Sequence, residues 1–344
     1  MIKIGLAGTG TGASFVAQAV EIAKKEESME LVAVFSRNLD KAKDFGEKYN
    51  IRSYYNDYEQ MIKKSGIDVV VICTPHFLHY TMAKIALEND IHVLVDKPMA
   101  ISLKEADDMI KLAESKKLKL GVILQTRFNE DAQLLRKLID EGKLGKILFG
   151  SINLFWYRSQ DYYSKSSWRG RWETEGGGVL INQSIHTIDL LLWLVGDVES
   201  VHGFIDTRTH NIEVEDIAVA SLKFKSGAFG VIQATTSADP GYPTILDIVG
   251  TKGRATIEGS SLKFLMYDGN IIKKSSHVDT GSWSSPACVK PIDHYKLILD
   301  FVRSVVSDSR PYVDGYEGRR SLELILAIYS SSRRGDVVKL PLLY

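Results

Sequence analysis

Short apolar runs alternate with amphipathic stretches from Ile2 to about Leu124, and this alternation is the feature that most constrains the fold. The runs IKIGLAG, MELVAVFS, DVVVICTP, IHVLVDKP and LKLGVILQ have the length and the Val, Ile and Leu content of buried strands. The segments between them carry Ala, Lys, Glu and Leu at helical spacing, most clearly in LKEADDMIKLAESKK, residues 103–117. Strands that alternate with helices in this way predict a parallel, doubly wound sheet.

The second part of the chain has a different pattern. After a predicted helix at 130–141, alternation with a period of two begins at GKLGKILFGSINLFWY and continues to about residue 269. The runs DIAVASLKF, AFGVIQATT, TILDIVG and RATIEG predict strands that are separated by glycine-containing turns. Helices are predicted at 293–306 and 318–332. The chain is therefore expected to form two domains.

Charge and cysteine content exclude several classes of function. Lys+Arg and Asp+Glu both number 43, so the chain has no net charge that would attract nucleic acid or an anionic membrane. The cysteines, Cys73 and Cys288, are far apart in sequence, and no Cys/His cluster has the spacing of metal ligands. We expect no disulfide framework and no metal. A signal peptide and a membrane span are not expected either, so the predicted location is the cytoplasm.

A glycine-rich turn follows the first predicted strand. Gly8, Gly10 and Ala13 form a G-x-G-x-x-A pattern between a strand and the helical segment ASFVAQAVEIAKK. In this context small residues allow a tight turn and bring helix N-terminal N–H groups close to a pyrophosphate. The turn predicts a dinucleotide site, whose candidate residues are Gly8, Thr9, Gly10, Thr11, Gly12 and Ala13.

The end of the second strand predicts which dinucleotide binds. Sites that prefer NAD usually place Asp or Glu there, against the ribose 2′-hydroxyl. Here the strand ends in VFSRNLDKA, so that Ser36 offers a hydroxyl, Arg37 a guanidinium and Lys41 an ammonium group. Such groups suit a 2′-phosphate. NADP(H) is therefore the favoured cofactor, and NAD(H) stays possible, since Arg37 can also stack on adenine.

Three further stretches resemble the Gfo/Idh/MocA family, which includes glucose-fructose oxidoreductase and inositol dehydrogenase. These are ICTPHFLHYTMAKIAL, HVLVDKPMAIS and GGGVLINQSIHTIDLLLWLVG, and the C-terminal region is also similar. The resemblance implies an N-terminal Rossmann domain, predicted at 1–124. It also implies a C-terminal α/β domain with a large, mostly antiparallel sheet, predicted at 125–344 for substrate binding and oligomerisation.

The same resemblance assigns residues to the nicotinamide end of the cofactor site. Asp96, Lys97 and Pro98 match the family's Glu-Lys-Pro motif, with Asp in place of Glu. The family's lysine lies beside the reacting carbon, which makes Lys97 a candidate catalytic group. A second stretch matches the family's cofactor loop, with His at position 76 where many members have Asn; its candidate residues are Thr74, Pro75, His76 and His79.

The motif in the second half carries the predicted proton chemistry. Inositol dehydrogenase-like members have an Asp four residues before a His; here those positions hold Asn182 and His186. On an α-helix this spacing places two side chains on one face. His186 is then the candidate general base, because its ordinary pKa suits proton exchange at cellular pH. Asn182 is expected to bind a substrate hydroxyl. Asp189 is expected to be a structural partner or to orient the imidazole.

Other candidates flank these motifs. The family often uses a Trp-Arg pair at the edge of the cofactor, which assigns Trp168 and Arg169 to cofactor contact. Trp172 and Glu175 are candidates to face substrate. Arg127 is a candidate for substrate binding, with a structural ion pair as the alternative. The aromatic stretch FWYRSQDYYS suits either sugar recognition or the surface of a sheet that packs on another subunit.

These expectations describe an NAD(P)-dependent oxidoreductase that moves hydride between nicotinamide and a secondary alcohol or ketone of a sugar or sugar derivative. The NQSIH form resembles family members that act at carbon 3 of hexoses. The alternatives are a dihydrodiol or biliverdin reductase-type enzyme with a non-sugar carbonyl substrate, and a nucleotide-sensing regulator without turnover. A homodimer or homotetramer is expected through the C-terminal sheet, because its alternating apolar residues need a cover on both faces.

Overall fold

The structure, a computed structural model, describes residues 1–274 and 291–343. Cys288, one of the two cysteines considered above, lies outside these residues. Two compact units are found. The first contains Met1–Gln125 and the described part of Val289–Arg319, and the second contains the described parts of Thr126–Cys288 and Arg320–Tyr344.

Six strands of the first unit form one sheet. They are β1 (Ile2–Ala7), β2 (Met29–Phe35), β3 (Ser53–Tyr55), β4 (Val69–Ile72), β5 (His92–Asp96) and β6 (Leu120–Ile123). Their order is β3-β2-β1-β4-β5-β6, and every pairing is parallel. In such a sheet the strand order reverses beside β1, and ligands bind at the carboxyl ends of the strands there. The predicted parallel doubly wound sheet is confirmed.

Burial explains why most of these strands are recognisable in the sequence. All four residues of β4 are buried, as expected for a parallel strand covered by helices on both faces. The strand β3 has three residues, none of them buried, and sequence patterning does not predict it. It is held by its pairing with β2, where Val34 lies opposite Tyr54.

The helices have the following bounds: α1 (Thr11–Ala23), α2 (Leu39–Lys48), α3 (Tyr58–Lys64), α4 (His79–Glu88), α5 (Leu103–Ser115), α6 (Glu130–Asp140), α7 (Gln160–Ser164), α8 (Trp172–Glu175), α9 (Ile185–Val195), α10 (Pro291–Val306) and α11 (Gly315–Arg334). A π-helix, Val179–Ser184, directly precedes α9, and a 3₁₀ turn, His76–Leu78, directly precedes α4. The predicted helices at 103–117, 130–141, 293–306 and 318–332 correspond to α5, α6, α10 and α11.

The helix α10 belongs to the first unit although it lies near the end of the sequence. It packs on α1, where the rings of Phe15 and His294 stack with centroids 5.3 Å apart. Arg303 adds an ion pair with Glu27 at 2.8 Å. The predicted second domain at 125–344 includes this helix, whereas contacts place it with the first sheet. Amphipathic patterning identifies a helix but does not say which sheet its apolar face covers.

Nine strands of the second unit form the other sheet. They are β7 (Ile147–Phe155), β8 (Val198–Asp206), β9 (Ile217–Phe224), β10 (Phe229–Thr235), β11 (Ile245–Gly250), β12 (Gly253–Glu258), β13 (Ser261–Tyr267), β14 (Asn270–Lys274) and β15 (Val338–Lys339). Their order is β14-β13-β12-β11-β7-β10-β9-β8-β15, with β7 and β10 parallel and the other pairs antiparallel. The expected large, mostly antiparallel sheet is confirmed.

One face of this sheet packs on helix α9. A Cβ atom added to Gly150 of β7 would lie 2.7 Å from Leu191 Cδ1, so the glycine allows α9 to approach the strand closely. Along β9 buried and exposed residues alternate strictly. The buried set faces the core of the unit, and the other set, which includes Val219 at 42% exposure, forms the opposite face.

One helical run in the described residues, Trp172–Val195, is long and apolar enough to cross a membrane by length and composition. Such a segment is not expected from the sequence pattern. However, 78% of its most apolar window is buried inside the protein. Core helices of proteins that do not span membranes have the same properties, so this run is weak evidence for a membrane span.

Candidate functional site

The glycine turn after β1 has the backbone that a dinucleotide site needs. Gly8 adopts φ +114°, in the region that favours glycine. A Cβ atom at this position would lie 2.4 Å from the carbonyl oxygen of Cys73. Gly8 is therefore required both by its conformation and by the close approach of the chain that follows β4.

The cap residue of α1 has open space beside it in the part of the chain that the structure describes. Gly10 is the N-cap residue, and a Cβ atom there would meet no heavy atom within 4 Å among the residues that the structure describes. The first turn of α1 contains no acidic residue, so no carboxylate of that turn competes with an anion for the positive end of the helix. Thr9 and Thr11 flank Gly10 in the sequence, and Ala13 is fully buried. This turn fits a pyrophosphate group.

The Asp96-Lys97-Pro98 turn lies against the same helix. A Cβ atom added to Gly12 would be 2.9 Å from Asp96 Oδ2. The other carboxylate oxygen, Oδ1, accepts a hydrogen bond of 2.8 Å from the backbone N–H of Lys97. The Lys97–Pro98 peptide bond is cis. Within the first unit, the predicted cofactor turn and the predicted catalytic lysine are thus brought together.

The loop after β4 is held by His79. Its ring is fully buried, with Nδ1 2.7 Å from the carbonyl oxygen of Pro98 and Nε2 2.8 Å from that of Thr74. Thr74 also donates its hydroxyl to Met82 Sδ at 3.4 Å. His76 is 5% exposed and lies in the 3₁₀ turn that begins after Pro75. Because both His79 ring nitrogens contact backbone carbonyls, this residue supports the loop from inside.

The end of β2 presents hydroxyl and basic groups. Ser36 is half-buried and its Oγ accepts a hydrogen bond of 3.4 Å from the N–H of Asn38. Asn38 in turn caps α2 by accepting from the N–H of Lys41 at 3.1 Å. Arg37 and Lys41 are exposed, as is the acidic residue Asp40. The strand end therefore has the polarity that the sequence predicts.

In the second unit, Glu215 anchors the glycine-rich turn that precedes the π-helix. This buried carboxylate accepts hydrogen bonds from Gly178 N at 2.8 Å, Leu180 N at 3.0 Å and the Tyr329 hydroxyl at 2.8 Å. Burial raises the pKa of Glu215 to about 7, against the opposing effect of these donors. Sequence reasoning missed Glu215. The available signal was an acidic pair, Glu215-Asp216, directly before an alternating strand.

Asn182 and His186 do not share one continuous α-helix. Asn182 lies in the π-helix Val179–Ser184, and His186 lies in the first turn of α9. The helical repeat changes between them, so a uniform α-helical i, i+4 spacing does not describe the pair, and their position on one face stays a prediction. Single-turn π segments occur frequently at functional sites. His186 is half-buried, and its carbonyl oxygen accepts a hydrogen bond of 3.4 Å from the Thr126 hydroxyl.

Arg127 forms a buried bidentate ion pair with Asp189. Arg127 Nε and Nη2 lie 2.7 and 2.6 Å from the two carboxylate oxygens, and the exposures are 2% and 0%. The Ser321 hydroxyl donates to Asp189 at 2.9 Å. The structural ion pair considered for Arg127 is thus present. The same contacts make Asp189 a structural partner of Arg127, and substrate binding by Arg127 stays a prediction.

Aromatic and basic side chains surround the segment before α8. The guanidinium carbon of Arg169 lies 4.4 Å from the ring centroid of Tyr162 and 4.8 Å from that of Trp168. Trp172 is 37% exposed and donates its indole N–H to the Glu213 carbonyl at 2.9 Å. An open polar groove of about 430 Å³ adjoins them, lined in part by Arg169, Arg171 and Glu213. Among the residues that the structure describes, no group of three or more His, Cys, Asp or Glu is arranged to hold a metal.

Two family models match the chain. Residues 2–124 match an oxidoreductase family with an NAD-binding Rossmann fold, GFO_IDH_MocA, and residues 132–256 match a GFO/IDH/MocA C-terminal domain. Together the matches cover most of both compact units.

Individual relatives are similar over nearly the whole chain. The WlbA dehydrogenase from Bordetella pertussis, solved in complex with NADH and UDP-GlcNAcA, is 31% identical, with a TM-score of 0.88 and coverage of 99% of this chain and 98% of that one. The myo-inositol 2-dehydrogenase of Thermotoga maritima is 24% identical over 98% of each chain. The D-glucoside 3-dehydrogenase of Escherichia coli K12 is 25% identical over 98% of this chain and 97% of its own length.

Proposed function

The chain belongs to the Gfo/Idh/MocA family of NAD-binding oxidoreductases, and from this premise we propose that it oxidises or forms a secondary hydroxyl of a sugar nucleotide or a related sugar derivative. The observation that carries the proposal lies in the first unit. The Asp96 carboxylate lies close to Gly12 of the glycine turn and accepts a hydrogen bond from the backbone N–H of Lys97, so the residue that carries the proposed catalytic ammonium group follows directly on a contact with the proposed dinucleotide site.

The nicotinamide, when bound, supplies hydride transfer at its C4 atom. The residues proposed to hold the dinucleotide are Gly8, Thr9, Gly10, Thr11, Gly12, Ala13, Ser36, Arg37, Lys41, Thr74, Pro75, His76, His79, Asp96, Lys97, Trp168 and Arg169. The glycine turn and the N–H groups of α1 face the pyrophosphate. His79 is proposed to contribute to cofactor binding indirectly, because its ring nitrogens contact the carbonyl oxygens of Thr74 and Pro98 in the cofactor loop and the lysine turn.

Lys97 and His186 are proposed to manage the proton. When the substrate hydroxyl is oxidised, its proton leaves for a basic nitrogen; on reduction the carbonyl oxygen takes a proton back. An ammonium group at Lys97 also stabilises negative charge on that oxygen. Asn182, Trp172 and Arg127 are proposed to bind substrate, with Arg127 acting through its ion pair with Asp189.

NADP(H) is proposed as the preferred cofactor. Ser36, Arg37 and Lys41 offer a hydroxyl and two cations at the end of β2, and the acid closest in sequence, Asp40, is exposed. The 2′-phosphate carries charge that favours such groups. The WlbA dehydrogenase was solved with NADH, so NAD(H) is the competing cofactor against which this preference is measured.

The outer face of the nine-stranded sheet is proposed to bind a second copy of the chain. Val219 lies between Phe204 of β8 and Gln233 of β10 in register, and Phe204 and Phe229 are 61% and 58% exposed. Exposed apolar residues on several adjacent strands form a continuous surface of the kind that a second copy of the chain can cover in a two-fold contact. The proposed assembly is a homodimer or homotetramer, and the proposed location is the cytoplasm.

A substrate panel tests the proposed function. The protein is incubated with NAD⁺ or NADP⁺ and with UDP-GlcNAcA, other sugar nucleotides, glucosides and inositols, and reduced nicotinamide is measured by its absorbance. We expect turnover with a sugar nucleotide or glucoside. The absence of reduction with every member, together with the absence of oxidation of NAD(P)H by the corresponding ketones, would reject the proposal.

A further inference from the structure

The hydroxyl group of Tyr162 lies against the residue that is proposed to bind the substrate hydroxyl. Tyr162 is in helix α7 and is half-buried. Its oxygen accepts a hydrogen bond of 3.3 Å from Asn182 Nδ2 and another of 3.3 Å from Gln183 Nε2. Both donors belong to the π-helix Val179–Ser184. The tyrosine therefore joins α7 to the segment that directly precedes α9.

A buried carboxylate determines which end of the Asn182 amide faces Tyr162. Glu175 is 1% exposed, and its Oε2 accepts a hydrogen bond of 2.5 Å from the backbone N–H of Gly170. Its Oε1 accepts a hydrogen bond from Asn182 Nδ2. A carboxylate only accepts, so this amide nitrogen carries the hydrogen atoms, and it donates both to Glu175 and to Tyr162. The Tyr162 hydroxyl is the acceptor in its contact with Asn182.

Cationic and aromatic side chains hold the Tyr162 ring. The guanidinium carbon of Arg169 lies 4.4 Å from the ring centroid, and that of Arg158 lies 5.4 Å from it. The ring of Tyr163 meets it edge-on, with the centroids 5.0 Å apart. Cation–π and edge contacts both depend on the position of the ring. The direction of the Tyr162 hydroxyl is therefore set within this unit before a ligand binds, which lowers the entropic cost of binding one.

The hydroxyl proton of Tyr162 has no acceptor among the residues that the structure describes. A phenolic hydroxyl both accepts and donates, and here two amide groups occupy its accepting side. What Tyr162 offers to a ligand is therefore a single O–H donor. Donation from the two amides polarises this O–H group, since hydrogen bonds in a chain strengthen one another. The group suits an acceptor oxygen.

We propose that Tyr162 is a substrate-binding residue, whose hydroxyl donates a hydrogen bond to an oxygen atom of the bound sugar. This inference rests on the proposed function and adds a requirement on the substrate. The sugar must present an acceptor oxygen to Tyr162, and a sugar with a hydrogen atom at that point binds more weakly. Tyr162 makes this contact in the ground state and the transition state alike, so its loss raises KM and leaves kcat nearly unchanged.

Removal of the hydroxyl group tests the proposal. Tyr162→Phe keeps the ring beside both guanidinium groups and deletes only the oxygen and its proton. Tyr163→Phe is the matched control, because the hydroxyl at this next position of α7 is buried and shares a hydrogen bond of 3.0 Å with the Thr236 hydroxyl. The probes are UDP-GlcNAcA, a methyl glucoside and myo-inositol, each with its monodeoxy derivatives. Calorimetric titration in the presence of oxidised cofactor gives Kd, and reduction of the cofactor gives kcat and KM.

We expect Tyr162→Phe to raise KM and Kd by about threefold to tenfold for the sugar that the wild type uses, as for one lost hydrogen bond. The deoxy derivative that lacks the accepted oxygen should bind the wild type more weakly by a similar factor, and Tyr162→Phe should weaken its binding no further. Tyr163→Phe should keep the wild-type values. If the effect of Tyr162→Phe multiplies with that of every deoxy derivative, the hydroxyl contacts no substrate oxygen and the proposal is wrong.

Two further outcomes separate this inference from a structural role and from the proposed function. A Gln183 amide turned end for end would accept the Tyr162 proton itself. Tyr162→Phe would then lower the free energy of unfolding and leave every Kd at its wild-type value, which would overturn the proposal. Sugar binding by the wild type without turnover would reject the proposed function, and the Kd values would still decide the role of Tyr162. A wild type that binds none of the sugars would overturn both.

Discussion

His79 Nδ1 lies 2.7 Å from the carbonyl oxygen of Pro98, the residue that follows the proposed catalytic lysine. Its Nε2 lies 2.8 Å from the carbonyl oxygen of Thr74. Burial lowers the pKa of His79, and the two carbonyl oxygens and the Asp96 charge partly offset this effect. One buried ring therefore connects the loop after β4 to the turn after β5.

The first prediction concerns this connection. His79→Ala should lower the free energy of unfolding by about 1–3 kcal/mol, because a buried carbonyl oxygen loses the imidazole N–H that donates to it and the buried ring is removed. It should also lower kcat more than it weakens NAD(P)H binding, since the lysine turn is displaced while the glycine turn is kept. Lys84→Ala, at an exposed position of the same helix, is the control. Equal effects from His79→Ala and Lys84→Ala in unfolding and kinetics would show that the His79 ring does not stabilise the loop after β4 or the turn after β5.

The second prediction concerns cofactor choice. NADP(H) should bind about tenfold to a hundredfold more tightly than NAD(H), the range for a charge-assisted pair in a partly exposed site. Arg37→Ala should remove most of this difference, and Ser36→Asp should invert it by repelling the phosphate. Lys43→Ala, an exposed cation on α2, should leave it unchanged. Fluorescence titration with each reduced cofactor measures these affinities, and equal wild-type affinities would contradict the preference.

The third prediction uses the buried carboxyl group of Glu215, whose pKa burial raises to about 7. An unfolded glutamate titrates near about pH 4.3, so between these values the folded protein retains a proton that the unfolded chain has lost. This group therefore makes the free energy of unfolding fall as pH rises from about 4.3 to 7, by about 4 kcal/mol in total.

Glu215→Gln should abolish that contribution. Denaturant unfolding of both proteins across this pH range gives the free energy of unfolding as a function of pH. The other titrating groups contribute equally to both proteins, so the difference between the two slopes is the contribution of Glu215. Parallel curves would mean that Glu215 titrates with an ordinary pKa and that its three donors cancel the effect of its burial.

The fourth prediction concerns the outer face of the nine-stranded sheet. Light scattering at micromolar concentration should give at least twice the mass of one chain. Val219→Asp, in the middle of the face, should shift the mass toward that of a monomer, because the charge would be buried in the contact. Ser221→Asp introduces the same charge two residues further along the same strand, and its effect on the mass is compared with that of Val219→Asp. A wild-type monomer would contradict the proposed assembly.

The sequence predicted much of the first sheet because its strands are continuous apolar runs, buried on both faces. It also identified the glycine turn, since Gly8 has a conformation and a close contact that few other residues tolerate. The short strand β3 was missed because it has no buried residue. Its three residues are ordered by the neighbouring strand rather than by their own pattern.

The second unit shows where patterning stops being informative. The motif around His186 predicted a uniform helix, but the π-helix depends on the turn that Glu215 anchors from 35 residues or more away in sequence. Glu175 and Asn182 are seven residues apart in sequence, at a spacing that suggests no contact without the intervening turn. Glu215 contacts residues far away in sequence, and Glu175 reaches Asn182 across a turn. The periodicity of a single sequence encodes neither contact.

The measurement that tests the central claim most directly is the turnover of Lys97→Ala beside the wild type and Lys104→Ala, an exposed lysine of α5. With a sugar substrate identified from the panel, kcat and NAD(P)H affinity are measured for all three proteins. We predict that Lys97→Ala loses about a hundredfold or more in kcat with cofactor affinity nearly intact, whereas Lys104→Ala matches the wild type. Wild-type turnover in Lys97→Ala would contradict the proposed role, since the proton would then be managed without the lysine.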